Sequence, residues 1–294
     1  LLGDKSIAHR SIIISSLSHA LTRIENFPSN KDCLSTIKAF KKLGIKITKS
    51  SSTVTVNGAG LFGLVKPKGP ISVGDSGTTL RLLLGLLAGQ DFKTRLIVGP
   101  SLSQRPMRRV TEPLRMMGAK IKARVKRQNL KIEEYPPITI KGGILKPITY
   151  DMPVASAQVK SAIILAALYA KGKTCVRERI PTRDHTERML KLFKARLKVK
   201  QNAIVIKGGS ELVSPGLLTI PGDISSAAFF IVLATIIPDS ILHIKNIGLN
   251  PSRTGVIKVL KRMGADIKAA KPQSRKAASS EPAGDLVVKS SKLT

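Results

Sequence analysis

The sequence contains no tryptophan, and aromatic residues of all kinds make up 3% of its 294 positions. Sequence-independent binding of single-stranded nucleic acid leans on aromatic side chains that stack with bases, so that mode has little to work with here. Cysteine is nearly as scarce. Cys33 and Cys175 supply neither the density of a disulfide scaffold nor the paired spacing of a zinc site, and they read as reduced thiols. No apolar run approaches the ~20 residues that a membrane-spanning helix needs. The longest, at 162–168 and 227–237, have the length of core helices. No charged-then-apolar leader opens the sequence, and the expectation is a cytoplasmic protein with no membrane partner.

Acidic residues are the remaining shortage: 18 Asp and Glu stand against 50 Lys and Arg, a formal balance of +32. A basic surface suits a phosphate backbone, which it binds by releasing counterions. A positive cleft suits a small anionic substrate, whose capture it speeds. Solvated lysines need no partner at all. The lysines are spread along the chain instead of forming one arm, so a small anion plus a lysine-rich surface is preferred over a specific nucleic acid. The 42% hydrophobic content is that of a globular chain of one large domain or two ordinary ones.

What is present starts with Gly3-Asp4-Lys5-Ser6-Ile7-Ala8-His9-Arg10-Ser11, followed by three isoleucines. This is a loop turning into a helix, with Asp4 or Ser6 as cap and free N–H groups in the first turn that suit an anion. Arg10 lies four residues beyond Ser6, on the same helical face, so it and Lys5 can converge on one oxyanion. For nine residues alone, a capped surface helix is the simpler account. Repetition changes the balance.

A short strand at Thr22–Phe27, a helix from Lys31 to Phe40 and a strand at 45–47 close on Leu43-Gly44. The same closing phrase returns at Leu114–Ile121 and Leu260–Ile267, with a degenerate copy at Leu190–Leu197. Counted on Gly44, Gly118, Ala195 and Gly264, the steps are 74, 77 and 69 residues. Each Gly fits a left-handed helix cap, and the third copy, with Ala, is expected to cap differently. Three further turns precede apolar helices: Gly74-Asp75-Ser76-Gly77-Thr78-Thr79, Ser156-Ala157-Gln158-Val159-Lys160-Ser161 and Pro221-Gly222-Asp223-Ile224-Ser225-Ser226. Any one is most simply a cap. Several pointing into one cleft would add their dipoles and N–H donors into an anion receptor.

Two more segments stand out. In Ser103-Gln104-Arg105-Pro106, the proline biases Arg105 to an extended conformation and can open a helix, leaving the guanidinium free to fork onto a carboxylate or phosphate. In Thr182-Arg183-Asp184-His185-Thr186-Glu187, a capping box through Asp184 or Thr186 is available. His185 invites an acid–base role, but the sequence shows it no partner.

The blocks GDKSIAHRS, GDSGTTLRLL, QRPMRR, PVASAQVKSA, TRDHTERML, PGDISSAAFF and GLNPSRTGVIKVLKRMGADI, in that order, resemble the 3-phosphoshikimate 1-carboxyvinyltransferase (5-enolpyruvylshikimate-3-phosphate synthase) family over nearly the whole chain. The resemblance implies an α/β (α+β) architecture: repeated βαβαββ units with pseudo-threefold symmetry, the enolpyruvyl transferase fold or inverted α/β barrel. It implies a first domain at 1–212 and the first unit of a second at 213–294. The implied reaction moves the enolpyruvyl group of phosphoenolpyruvate onto the 5-hydroxyl of shikimate 3-phosphate and releases phosphate, in aromatic amino-acid synthesis, with neither metal nor organic cofactor.

Residue by residue, the resemblance puts Lys5 between both substrates as the catalytic lysine. It puts Ser6, Arg10, Ser156, Ala157, Gln158, Thr182 and Arg183 on shikimate 3-phosphate. Asp75, Gly77, Thr78, Arg105 and again Gln158 fall to phosphoenolpyruvate. Leu2, Ala8 and Asp75 replace the family's usual Pro, Ser and Asn; Asp75 would repel phosphoenolpyruvate unless it turns away to cap its helix. The family's Asp base, Lys–Glu pair, Arg clamp and late His-Arg and Lys are expected beyond Thr294, so the chain is expected to be a fragment, a monomer, and inactive alone. An orphaned last unit should expose apolar surface, and 271–284 reads as a linker by composition, or through the resemblance as a hairpin loop. The alternatives are the related transferase acting on UDP-N-acetylglucosamine, whose loop cysteine has no counterpart near Arg105, and a non-catalytic polyanion or RNA binder.

Overall fold

Helix α1 (Lys5–Ser16) begins where Asp4 accepts a hydrogen bond from the Ile7 N–H at 3.0 Å, so of the two possible caps Asp4 is used. Everything from Ile7 to Ser16 on it is buried. The computed structural model describes residues 1–128, 131–270 and 281–294. After α1 come β1 (Ser18–Glu25), α2 (Lys31–Lys42), β2 (Lys46–Ser50) and β3 (Thr53–Ala59). Helix α2 buries Cys33, Thr36, Ile37 and Phe40, the stripe of an amphipathic helix lying on a core.

The pattern then repeats. The second unit runs β4 (Ile71–Ser72), α3 (Gly77–Leu87), β5 (Lys93–Ile97), a short α4 (Pro100–Ser103), α5 (Arg108–Met116), β6 (Lys120–Gln128) and β7 (Lys131–Lys141). The third runs β8 (Thr149–Met152), α6 (Ala157–Ala167), β9 (Lys173–Glu178), α7 (His185–Leu192), β10 (Leu197–Lys200) and β11 (Ala203–Lys207). Pro106 does not open a helix: α5 starts two residues later, at Arg108, and it is Pro100 that occupies a first helical turn, in α4.

Each unit folds its strands in the same order. The second sheet is β4-β5-β7-β6 and the third β8-β9-β11-β10, each with a parallel first pair and antiparallel remainder. In the first sheet the place of the leading strand is taken by β12 (Leu212–Val213) and β13 (Leu217–Thr219), which pair in parallel with β1, giving β12-β1-β3-β2. The chain leaving the third unit thus completes the first, and three units close on themselves. Helices α3 and α6, apolar on nearly every side and buried over nearly their whole length, pack on each other in the centre, with the sheets outside.

The four closing turns share one geometry, and here the expectation for the third is corrected. The left-handed residue in that copy is Lys194 (φ +62°), aligned with Gly44 (+90°), Gly118 (+110°) and Gly264 (+95°). In every copy it donates to the carbonyl three residues back, and the next residue donates five back: Gly44 to Lys41 and Ile45 to Phe40, Lys194 to Lys191 and Ala195 to Leu190. These are Schellman caps. Counting on Ala195 placed the register one residue late, and the cap does not differ in form.

A fourth unit follows: α8 (Ile224–Ile236), β14 (Ile241–Gly248), α9 (Gly255–Arg262), β15 (Ile267–Ala270) and β16 (Ala283–Lys289), in the sheet order β14-β16-β15. Its buried apolar residues, from Ile224 to Val288, form a core separate from the one that spans Ile7 to Ile220. Helix α8 is as apolar as α3 and α6, yet it buries only Ile224, Ala227, Ile231, Ala234 and Thr235. Phe229 is 79% exposed, and Phe230, Leu233 and Ile236 are exposed beside it. The expected apolar face is therefore present, on this helix. The hairpin expectation is met where it can be read, with β15 and β16 antiparallel; residues 271–280 of the expected linker lie outside the described residues.

Candidate functional site

Three helix N-termini, one from each of the first three units, meet at a cavity of about 250 Å³. α1 contributes Lys5, Ser6 and Arg10, α3 contributes Gly77 and Thr78, and α6 contributes Ala157 and Gln158. Ser76 and Ser156 cap the latter two by accepting from the N–H groups of Thr79 and Val159. Asp32, Asp75, Arg105, Arg183 and His185 complete the wall. Positive dipole ends and unspent first-turn N–H groups from three helices thus face one hollow, which favours an anion there.

The cations around it are held in different ways. Lys5 stands half-exposed at the mouth, with Nζ 3.1 Å from Asp32 Oδ2. Arg10 is buried and pairs directly with no carboxylate among the described residues: it donates to Thr186 Oγ1 at 2.7 Å, the Ser6 carbonyl at 2.9 Å and Ser161 Oγ at 2.9 Å. Burial brings its guanidinium down to about 10, still charged at neutral pH, so it gives the cavity a fixed positive field while spending three of its five N–H donors on the protein. Arg183 reaches Ser6 Oγ at 3.4 Å. No carboxylate pairs with Arg105 or Arg183 among the described residues.

Gln158 links α6 to α3. Its Oε1 accepts from Arg81 at 2.6 Å, and its Nε2 donates to Thr78 Oγ1 at 2.9 Å. Arg81 sits directly behind Gly77: a Cβ on Gly77 would come within 2.8 Å of Arg81 Nη1 and 3.1 Å of Arg105 Nη1. Burial, then repulsion from Arg105 and Arg109, lowers the Arg81 guanidinium to about 10. That crowding of like charge is relieved by an anion bound between them. Asp75 remains on the wall and does not cap its own helix; its Oδ1 accepts from the Leu102 N–H of α4 at 2.9 Å.

The loop bearing Arg183 and His185 is anchored from below. Lys160, buried on α6, pairs with Glu178 at 2.8 Å and Glu187 at 2.7 Å, and donates to the Thr182 carbonyl at 3.3 Å. Thr182 also gives its hydroxyl and its N–H to Glu178. Two expected contact residues are consequently not on the cavity wall. Ser156 acts as a cap, and Thr182 faces a neighbouring open groove of about 820 Å³ along α7. That groove is larger but has no convergence of helix ends. The expected capping box is not formed either. Asp184 is the N-cap of α7 but makes no side-chain cap bond; its oxygens go to Arg188 at 2.8 Å and Asn250 at 2.7 Å.

His185 does have partners, both from the fourth unit. Nδ1 lies 2.8 Å from Glu281 Oε1 and Nε2 lies 3.4 Å from Arg253 Nη1. Asp184, His185 and Glu281 hold their ligand atoms within 4.8 Å of one another, but Asn250, Arg188 and Arg253 already occupy those atoms, so the cluster is spent on protein hydrogen bonds. Of the residues that sequence reasoning passed over, Arg81 had a signal, lying four residues after Gly77 on the same helical face. Asp32, Arg253 and Glu281 had none, being brought in from distant elements. The thiol of Cys33 is pushed up to about 12 by burial, which leaves it an inert core group.

The family model described as EPSP synthase (3-phosphoshikimate 1-carboxyvinyltransferase) matches residues 1–290. The 3-phosphoshikimate 1-carboxyvinyltransferases of Bacillus licheniformis and Bacillus subtilis are each 47% identical to it over 291 residues, 99% of this chain and 66% of theirs. A solved EPSP synthase from Acinetobacter baumannii superposes with a TM-score of 0.88 at 43% identity, covering 99% of this chain and 64% of that one. The chain spans about two thirds of the length of these relatives, and its repeated units are those of the enolpyruvyl transferase fold. With agreement from end to end in both sequence and fold, the chain belongs to the EPSP synthase (3-phosphoshikimate 1-carboxyvinyltransferase) family.

Proposed function

We propose that the cavity receives shikimate 3-phosphate and phosphoenolpyruvate side by side, and that this chain supplies the receptor for transfer of the enolpyruvyl group to the shikimate 5-hydroxyl. The bond made joins that oxygen to the enolpyruvyl carbon, and the bond broken releases phosphate. Two anions repel each other, and holding them at reacting distance requires fixed cations and backbone donors. The observation that carries the reading is the convergence of three helix N-termini with Lys5, Arg105 and Arg183 on one hollow.

Lys5, Ser6, Arg10 and Arg183 form one set of lining residues and Gly77, Thr78 and Arg105 a second, with Arg81 behind Gly77 and Gln158 joining Arg81 to Thr78. We assign shikimate 3-phosphate to the first set and phosphoenolpyruvate to the second. Asp75 also lines this part of the cavity, with Oδ1 tied to the Leu102 N–H of α4. The division into domains at 1–212 and 213–294 belongs to the same proposal and is supported by the two separate apolar cores. A cytoplasmic, monomeric protein belongs to it as well; none of the described helices is long and apolar enough to cross a membrane.

The test is a titration of the purified chain with shikimate 3-phosphate and, separately, with a short RNA, each at two salt concentrations. Specific substrate binding should saturate at one site and weaken at least tenfold in Lys5→Met and Arg183→Met. Binding of RNA alone, falling steeply with salt and indifferent to those substitutions, would favour a polyanion binder instead.

A further inference from the structure

Arg253 lies in the loop ahead of α9, outside the cavity wall, and is nearly buried. Its Nη1 is 3.3 Å from Asp4 Oδ2 and its Nη2 is 3.3 Å from Asp223 Oδ1 and 2.6 Å from Ser225 Oγ. Those two carboxylates are the N-caps of α1 and α8. Asp4 is next to Lys5 in sequence, and the Lys5 N–H is 3.5 Å from Asp223 Oδ2. One guanidinium therefore bridges two acids that sit behind the anion site and offsets one of their two charges.

The same guanidinium sets a proton. It can only donate, so at 3.4 Å His185 Nε2 must accept, the imidazole proton must be on Nδ1, and Glu281 Oε1 receives it at 2.8 Å. Asn250 fixes Glu281 in turn, donating to Oε2 at 2.9 Å. Around the imidazole stand Glu281 ahead of β16, Arg253 ahead of α9, Asp4 at the start of α1, and Arg183 and Asp184 on its own loop. Burial and the Asp223 charge already push the Asp4 carboxyl upward, and Arg253 opposes them.

We propose that Arg253 is a positioning residue for the anion site: from the fourth unit it bridges Asp4 and Asp223 behind Lys5, offsetting half of their charge, and holds the His185 ring on the cavity wall with Nε2 as acceptor and Nδ1 as donor. This rests on the cavity being the shikimate 3-phosphate site. Without Arg253, two carboxylates repel the ligand, the Asp4 carboxyl loses the cation that opposes its upward push, and His185 Nε2 loses the donor that fixes its tautomer.

The test combines calorimetric titration of shikimate 3-phosphate into the wild-type chain, Arg253→Met and Arg253→Lys across pH 6 to 8.5 with nitrogen NMR of the His185 ring in the ligand-free proteins. The expected results are an Nδ1–H ring in the wild type and, in Arg253→Met, at least a tenfold loss of affinity at pH 8 that shrinks as pH drops. Arg253→Lys should restore much of the affinity. Equal affinity in Arg253→Met, a loss of the same size at every pH, or an Nε2–H ring in the wild type would overturn the inference. A wild-type chain that does not bind shikimate 3-phosphate overturns the reading of the cavity; the ring tautomer, read without ligand and without substitution, then decides the role of Arg253 separately, even where Arg253→Met fails to fold.

Discussion

The ammonium of Lys5 lies 3.1 Å from Asp32 Oδ2 across the mouth of the cavity. An arriving phosphate must compete with that carboxylate for the lysine. Both side chains are more than a third exposed, so solvent screens the pair and it is worth at most about 1 kcal/mol. Asp32→Asn frees the lysine and removes a negative charge from the wall, and shikimate 3-phosphate should bind roughly two- to fivefold tighter. Calorimetry at low and high salt checks this, with the gain shrinking as salt screens it.

Gly77→Ala is expected to cost affinity and not stability. The new Cβ meets the tips of Arg81 and Arg105, flexible side chains that swing aside cheaply. The bond from Arg81 to Gln158 and the spacing of the two guanidinium groups are lost in doing so. Phosphoenolpyruvate affinity, measured in the presence of shikimate 3-phosphate, should fall by roughly tenfold, about 1.4 kcal/mol, while the denaturation midpoint stays nearly where it was.

Lys160→Met should cost stability first. It leaves Glu178 and Glu187 buried without their shared cation, and breaking a buried pair from one side costs about 3–5 kcal/mol. Urea denaturation reads the loss directly. Because the segment carrying Arg183 hangs on this triad, anion affinity should fall with it.

Acid sensitivity has a traceable source in His9. Burial, aided by the Arg10 and Lys5 charges, pulls its imidazole from 6.5 to about 3, while Nδ1 bonds to Thr36 at 2.7 Å. Between those two values the unfolded chain binds a proton that the folded chain refuses. Stability therefore falls as pH drops from about 6.5 towards 3, by up to about 1.4 kcal/mol per pH unit from this group. His9→Leu should flatten that part of the stability–pH curve measured by denaturation at pH 7, 6 and 5.

At the third helix cap, Lys194 holds a left-handed conformation that its three counterparts give to glycine. The conformation costs a side-chain-bearing residue about 1–2 kcal/mol, part of which glycine gives back through its freer unfolded state. Lys194→Gly should stabilise the chain by about 0.5–1 kcal/mol. Thermal unfolding of the two proteins side by side checks it.

The repeat was legible because local chemistry repeats with it: small polar caps before apolar helices, and a left-handed turn after amphipathic ones. Its third register slipped by one residue because Lys194 hides where glycine was sought. The site residues on helix starts, Lys5, Ser6, Gly77, Thr78, Ala157 and Gln158, could be found from those caps and from family resemblance. Asp32, Arg253 and Glu281 could not. They reach the cavity or the His185 ring only because α2 packs on α1 and the fourth unit closes against the first and third, and no local pattern marks a residue for a partner across such a gap. The side chains of Thr182 and Ser156 are drawn into a buried ion-pair network and a cap, partners that the local pattern does not show for Thr182.

Helix ends from three successive units are proposed to act together with Lys5 and Arg183 as one receptor for a phosphorylated ring. Calorimetric titration of shikimate 3-phosphate into the wild-type chain and into Lys5→Met and Arg183→Met tests it most directly. A single saturable site, weakened at least tenfold by either substitution, is the predicted result. Absence of saturable binding, or binding that ignores both substitutions, would rule such a receptor out.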